Sequence, residues 1–160
     1  MNEEITIATG EDMRDLGRRL AGQLRAGDLV ILSGPLGAGK TTLTQGIGAG
    51  LGVRGPVTSP TFVIARVHPP AGGRGQGIPL VHVDAYRLGS VLELDDLDLD
   101  ADTDSSVTVV EWGEGLAEGL SANRLEITIG GDQPRTVCIS GIGPRWQDMR
   151  LSRADVIDRL

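Results

Sequence analysis

The residues with the clearest chemical potential are 34–41, which read Gly-Pro-Leu-Gly-Ala-Gly-Lys-Thr. They match the phosphate-loop pattern G-x-x-x-x-G-K-[ST], with an apolar run at 29–32 before them and a helix-like segment at 42–52 after them. Glycines let the backbone bend so that consecutive N–H groups and the positive end of the helix point at one anion. We therefore expect Lys40 to reach the β- and γ-phosphates of a nucleotide and the Thr41 hydroxyl to bind Mg²⁺.

The composition singles out the lysine of this loop. Lys40 is the only lysine among the 15 basic residues, and all the others are arginine. An ammonium group is a compact point charge that fits among backbone N–H groups around a phosphate, whereas a guanidinium is a planar fork. The retained lysine favours a phosphate-binding loop over a glycine-rich turn that only begins a helix.

Two carboxylates follow apolar, strand-like runs further along the chain. Asp84 comes after residues 80–83, and Glu111 comes after residues 107–110. P-loop proteins place a carboxylate that orders the Mg²⁺ shell at the carboxyl end of a strand. Asp84 and Glu111 are therefore candidates for one metal and water site, in which one binds the cation or its waters and the other orients the attacking water. The alternative is that each carboxylate only caps the following helix.

A candidate switch loop follows the helix-like segment that comes after the phosphate loop. It contains Ser59, Pro60, Thr61 and Phe62, placed where segments that sense a γ-phosphate often lie. A plain connecting turn fits the composition as well. The glycine- and proline-rich residues 68–79 predict a surface loop that joins two antiparallel strands.

The remaining elements follow from apolar periodicity and helix-end signals. Thr9 with Asp12 predicts an N-cap that opens a helix to about Ala26. Strands are predicted at 5–8, 29–32, 61–67, 80–83, 107–110, 124–129 and 135–140. These elements predict an α/β fold: a three-layer, P-loop NTPase-like domain whose mixed sheet of about seven strands is mainly parallel at its centre and flanked by helices.

Length and charge narrow the class of protein. With 160 residues, we expect one P-loop ATPase domain at 1–143 and a tail at 144–160 that carries a loosely docked helix. The net charge of −7 argues against unaided binding to nucleic acid or to an anionic membrane. Cys138 is interpreted as a small core residue, since a single cysteine allows no disulfide framework. Without a signal-like or membrane-spanning apolar segment, a cytoplasmic location is expected.

Four segments together resemble the TsaE family, also called YjeE, of bacterial P-loop ATPases required for forming threonylcarbamoyladenosine in tRNA. They are residues 34–42, 59–62, 82–88 (His-Val-Asp-Ala-Tyr-Arg-Leu) and 110–112 (Val-Glu-Trp), in that order. A P-loop alone is shared by many families, but this series is specific. The resemblance implies an ATPase that acts with Mg²⁺ on a pair of TsaB and TsaD homologues, meets tRNA only through that complex, uses no membrane and does not perform the carbamoyl transfer itself.

The resemblance also implies roles for individual residues. Nucleotide contacts are expected from Gly37, Ala38, Gly39, Lys40, Thr41, Thr42, Trp112 and Arg135. The metal ligands would be Thr41, Glu111 and Asp84, and hydrolysis would depend on Asp84, Glu111 and Lys40. One departure is Met13, which stands where family members often carry threonine.

Three other classes of protein compete with this interpretation. A GTPase would need an N-K-x-D element, which the single lysine at position 40 excludes. A small-molecule kinase suits the length, and Arg66, Arg87 or Arg124 could clamp a transferring phosphate, but no convincing lid segment is present. A non-catalytic scaffold that docks a partner upon ATP binding stays open.

Overall fold

The computed structural model describes residues 2–35, 39–53, 57, 65–70, 78–84, 105–111, 123–131 and 134–147. Seven strands and two α-helices run through this part of the chain, followed by a short 3₁₀ helix at Pro144–Trp146. In chain order they are β1 (Asn2–Ile7), α1 (Gly10–Ala21), β2 (Leu29–Ser33), α2 (Lys40–Leu51), β3 (Ala65–His68), β4 (Leu80–Asp84), β5 (Val107–Glu111), β6 (Arg124–Gly130) and β7 (Arg135–Ile142).

All seven strands form one mixed sheet in the order β1-β7-β6-β2-β5-β4-β3. The central strand β2 runs parallel to both β5 and β6, and β4 runs parallel to β5. The outer pairs β3–β4, β6–β7 and β1–β7 are antiparallel. This confirms the predicted α/β fold with a parallel centre and the phosphate-loop strand in the middle. It also confirms that residues 68–79 connect two antiparallel strands.

Helix α1 begins where its sequence predicts but ends earlier. Thr9 is extended, and its side chain accepts a hydrogen bond from the N–H of Asp12 at 3.1 Å, as an N-cap does. The helix ends at Ala21 rather than at Ala26. The carboxylate of Asp28 accepts a hydrogen bond from the N–H of Arg25 at 2.8 Å, so this donor serves a turn instead of another helical turn.

The hydrophobic core lies between the two helices and one face of the sheet. Its buried side chains come from α1, α2 and the central strands, and include Leu16, Leu20, Leu43, Ile47, Val30, Leu32, Val109 and Ile127. The opposite face of the central strands is buried as well, with Ile31 and Val110 at 2% and 0% exposure. Burial on both faces is what a parallel sheet in a three-layer α/β fold requires.

Glycines allow the two helices to pack closely. A Cβ atom on Gly46 of α2 would lie 2.9 Å from the backbone C and Cα atoms of Arg14 in α1. A Cβ atom on Gly17 of α1 would lie 2.7 Å from the backbone nitrogen of Ile47. Because both contacts are with backbone, a side chain here would push the helices apart. The small residues therefore set the position of α2, which carries Lys40 at its first turn.

Two further predictions meet a different arrangement. The interpretation of Cys138 as a core residue is wrong, because its side chain is exposed on the outer face of β7, between the buried Val137 and Ile139. Residues 144–146 of the predicted tail pack against the core, with Trp146 fully buried. The proposed boundary at residue 143 stays a prediction.

Within the described residues, neither α1 nor α2 has the length and apolar character needed to cross a membrane.

Candidate functional site

The phosphate-loop sequence connects the end of β2 to the start of α2, as the motif requires. Gly39 occupies the N-cap of α2 with φ 108° and ψ 14°, a left-handed conformation that strains any residue with a side chain. Its position offers the first turn no side-chain cap. The initial N–H groups of α2 therefore remain suited to an anionic ligand.

Lys40 contacts the backbone at the start of the phosphate-loop motif. Its Nζ atom donates hydrogen bonds to the carbonyl oxygens of Gly34 at 2.6 Å and Pro35 at 2.9 Å. The residue is 5% exposed. The ammonium group is thus held against two backbone carbonyls at the start of the phosphate-loop motif.

The first turn of α2 supplies the neighbouring hydroxyl groups. Thr41 and Thr42 are half-buried there. Thr44 is buried and points back along the helix, with its hydroxyl donating to the carbonyl of Lys40 at 2.9 Å. The other two predicted loop contacts, Gly37 and Ala38, lie outside the described residues.

Met13 lies beside this loop. Its side chain is 2% exposed and approaches Gly39 so closely that a Cβ atom there would lie 3.2 Å from Cε of Met13. Met13 therefore packs against Gly39, the N-cap of α2, through apolar contact. The contact explains how a methionine fits the position where a threonine was expected from the family resemblance.

The sheet brings both predicted carboxylate positions to one edge, with Glu111 in the strand next to the phosphate-loop strand and Asp84 one strand further away. Glu111, at the end of β5, is in register with Leu32 of β2 on one side and with Asp84 of β4 on the other. Neighbouring strands are about 4.8 Å apart, so the three strand ends lie side by side at the edge of the sheet where β2 ends. The backbone of Asp84 is therefore placed as predicted, while its side chain lies outside the described part.

Glu111 is buried and hydrogen-bonded to a residue that the sequence analysis did not assign a role. Its Oε2 atom lies 3.0 Å from Nε2 of His82, with side-chain exposures of 5% and 0%. Nδ1 of His82 is buried without a hydrogen-bond partner among the described residues. The tautomer with a proton on Nε2 fits this contact, because it donates to the carboxylate, whereas a proton on Nδ1 would be a buried donor without an acceptor among the described residues.

A sequence signal for His82 existed. The residue stands two positions before Asp84, and in a strand residues at i and i+2 share one face. A polar residue at that spacing inside an apolar strand would therefore be expected on the same face as the predicted carboxylate. The sequence did not show that Glu111, 29 residues further on, would contact it.

Arg135 lies at the same edge of the sheet, further from the loop. Strand β6 runs parallel to β2, and β7 starts at Arg135 after the turn that follows β6. Its Nη1 atom donates to the carbonyl of Gly131 at 2.6 Å. This placement is compatible with the predicted nucleotide contact. The predicted contact Trp112 and the switch residues Ser59, Pro60, Thr61 and Phe62 lie outside the described residues.

A further contact ties α2 to the segment that precedes the predicted switch residues. The side-chain amide of Gln45 donates to the carbonyl oxygen of Val57 at 3.1 Å. Val57 is 4% exposed and packs against α2 at Gly48, where a Cβ atom would collide with it. Residue 57 is therefore fixed to the phosphate-loop helix by contacts that motif spacing and periodicity do not predict.

The donor set fits a nucleotide with its magnesium ion. Among the described residues, three or more His, Cys, Asp or Glu side chains do not converge anywhere into a metal cluster. Mg²⁺ in phosphate sites is held by one or two carboxylates together with substrate oxygens and waters, so a full protein cluster is not required. Thr41 and the buried Glu111 supply the oxygen atoms that such a site uses.

Strand β2 leads through the glycine-rich motif to helix α2, whose first residue is the buried Lys40, and Glu111 lies at the end of the adjacent parallel strand. These features define an α/β protein with a P-loop-like fold. The family model described as "Threonylcarbamoyl adenosine biosynthesis protein TsaE" matches residues 7–137. The chain belongs to the TsaE family.

Individual relatives agree with this assignment. A protein of Streptomyces coelicolor named "tRNA threonylcarbamoyladenosine biosynthesis protein TsaE" is 62% identical over 147 residues, covering 88% of this chain and 97% of that protein. A Bacillus subtilis protein of the same name is 37% identical, and the match covers 92% of this chain and 92% of that protein. The crystal structure of Bacillus subtilis YdiB superposes with a TM-score of 0.72 at 31% identity, covering 92% of this chain and 90% of that one.

Proposed function

We propose that this protein binds and hydrolyses ATP in support of threonylcarbamoyladenosine formation in tRNA, acting on a pair of TsaB and TsaD homologues rather than transferring the carbamoyl group. Membership of the TsaE family and the printed names of its relatives support the tRNA modification role. The site supports the ATPase role.

The observation that carries the ATPase proposal is the position of Glu111 relative to Lys40. Glu111 is in register with Leu32, so it lies one strand away from the end of β2, where Lys40 contacts Gly34. A phosphate-binding lysine beside a buried carboxylate is the combination that phosphoryl transfer to water needs. A loop that only bound phosphate would not require the second group.

Each group of site residues would have a separate role in ATP binding and hydrolysis. Lys40 and the N–H groups at the start of α2 would bind the β- and γ-phosphate oxygens and stabilise the charge that develops on them. Glu111 would orient the attacking water or accept its proton, together with Asp84. Trp112 and Arg135 would complete the nucleotide contacts, and residues 59–62 would sense the γ-phosphate.

The cation would be held by Thr41, Glu111 and Asp84. When bound, Mg²⁺ neutralises charge on the phosphate oxygens and fixes their orientation. The protein oxygens named here would set where that cation lies relative to Lys40.

The family supports TsaB and TsaD homologues as the proposed partners, and the net charge of the chain supports an indirect contact with tRNA. A chain with a net charge of −7 is poorly suited to hold tRNA by itself, so TsaB and TsaD homologues would bind the RNA. The cytoplasm, where tRNA is modified, is the expected location.

The test is steady-state ATP hydrolysis with Mg²⁺, comparing the chain alone with the chain plus a TsaB–TsaD pair. We expect the pair to stimulate turnover and Glu111→Gln to abolish it while ATP binding and complex formation persist. Turnover that survives Glu111→Gln would contradict the role of Glu111.

Two other results would favour the competing classes. Tight ATP binding and complex formation without turnover under either condition would favour the non-catalytic scaffold. Nucleotide consumption that requires an added small-molecule acceptor, and labels that acceptor with phosphate, would favour a kinase.

A further inference from the structure

We propose that His82 is a positioning residue for Glu111: its Nε2–H holds one carboxylate oxygen and leaves the other for the cation and water of the phosphate site. The proposal rests on the role given to Glu111 under the proposed function. It assigns His82 no contact with the nucleotide or the cation.

The geometry supports a dedicated contact. His82 and Glu111 lie on the same face of the sheet, because His82 is in register with Val109, which lies two residues before Glu111 in β5. The atoms Nε2 and Oε2 are 3.0 Å apart, within the normal range of a hydrogen bond. Both side chains are nearly inaccessible to solvent, so water does not compete for this bond.

The chemistry of a glutamate explains why such a contact matters. The last torsion of a glutamate side chain is broad and roughly two-fold, so rotamer preference alone does not fix the plane of the carboxylate. A hydrogen bond to one oxygen fixes it. Carboxylates that bind metals are commonly oriented in this way by a hydrogen-bonding neighbour, and loss of that neighbour weakens metal binding.

The surroundings of His82 argue against a purely structural role. Its neighbours Val81 and Val83 in β4 are buried and apolar, as is Leu80 at the start of the strand. An aliphatic residue at position 82 would bury no polar ring atom of its own, whereas the histidine buries Nδ1 without a hydrogen-bond partner among the described residues. A buried unsatisfied group destabilises a fold. The benefit that offsets this loss is the contact with Glu111.

The variants that test this role are His82→Gln and His82→Leu. Glutamine places an amide donor near the position of Nε2, whereas leucine fills the space without a donor. Thr108→Val is the matched control. Thr108 is fully buried in β5, its Oγ1 has no hydrogen-bond partner in the described part of the chain, and it lies on the strand face opposite to Glu111. Thermal unfolding of each variant verifies that it is folded.

The readout is nucleotide affinity with and without the metal, measured by titration with ATP in EDTA and in Mg²⁺, and by direct titration with Mn²⁺ in the presence of ATP. In EDTA all variants should bind ATP like the wild type, because the phosphate loop is intact. We expect His82→Leu to lose about 10- to 100-fold in metal affinity. His82→Gln should retain most of that affinity, and Thr108→Val all of it.

A double-mutant cycle with Glu111→Ala separates this proposal from the one on which it rests. If His82 acts through Glu111, His82→Leu has no further effect on metal affinity in the Glu111→Ala background. If Glu111→Ala weakens metal binding but a folded His82→Leu does not, only the positioning role is overturned. If Glu111→Ala leaves metal binding unchanged, the metal role of Glu111 fails and the positioning role fails with it.

Discussion

The Nζ atom of Lys40 lies 2.6 Å from the carbonyl oxygen of Gly34, and so joins the first helical residue of α2 to the residue that follows β2. A second hydrogen bond runs from the same Nζ atom to the carbonyl of Pro35 at 2.9 Å. The lysine thus ties the start of α2 to the backbone that follows β2. When phosphate oxygens bind, they offer the ammonium group negatively charged acceptors in place of neutral carbonyls.

Lys40→Ala should therefore abolish most ATP binding. Hydrogen bonds to charged groups contribute about 1.5–3 kcal/mol each, so the loss of two should weaken affinity by about 100-fold or more. The measurement is a calorimetric or fluorescence titration with ATP. Arg18→Ala is the matched control, because it removes one positive charge from a half-exposed pair with Asp15 and should leave affinity unchanged. Unchanged affinity in Lys40→Ala would contradict the phosphate-loop assignment.

The crossing of α1 and α2 predicts a strong effect of a single methyl group. Gly46→Ala should lower the free energy of unfolding by about 2 kcal/mol or more, because the new Cβ atom meets the backbone of Arg14, which cannot rotate away. Denaturant unfolding measures the change. Gly10→Ala is the control: a Cβ there meets nothing within 4 Å at the start of α1, so stability should be unchanged or slightly raised.

The same variant also tests whether the helix crossing positions the phosphate loop. Since α2 begins at Lys40, displacement of the helix should weaken ATP binding in Gly46→Ala at a temperature where the variant is still folded. Affinity equal to that of Gly10→Ala would show that the loop tolerates a shift of the helix.

Arg145 joins the C-terminal 3₁₀ helix to the turn after α1. Its guanidinium donates hydrogen bonds to both carboxylate oxygens of Asp28, at 3.2 and 3.1 Å, and to the carbonyl of Gln23 at 2.8 Å. The same guanidinium lies 4.1 Å from the centroid of the Trp146 ring. Arg145→Ala should cost about 2 kcal/mol, because it leaves the buried Asp28 without its cation. The control Arg25→Ala keeps the backbone N–H that binds Asp28 and removes an exposed side chain, so its effect on the unfolding midpoint should be small.

The N-cap of α1 predicts a smaller loss. Thr9→Ala removes the oxygen that accepts from Asp12 and should cost about 1 kcal/mol. Thr9→Ser keeps that oxygen and should be close to the wild type. Equal unfolding midpoints for the alanine and serine variants would show that the cap contributes nothing measurable.

Local patterns were sufficient for much of the fold. The apolar runs predicted strands β2, β4, β5 and β6 to within a residue or two, since burial on a pleated sheet requires such runs. The phosphate-loop motif predicted the start of α2, and Thr9 with Asp12 predicted the start of α1, because loop and cap chemistry lie within a few consecutive residues. The carboxylates at 84 and 111 were predicted at strand ends that the sheet places side by side.

Only the tertiary structure decided which distant groups meet. His82 contacts Glu111 across 29 residues and Arg145 contacts Asp28 across 117, and both pairs depend on the order of strands and the path of the chain. The exposure of Cys138 depends on which face of β7 is covered. The early end of α1 depends on Asp28, which lies beyond the helix. Periodicity and turn signals describe one segment at a time, whereas these contacts form only after segments pack, so the sequence predicted the parts of the site and the fold determined their partners.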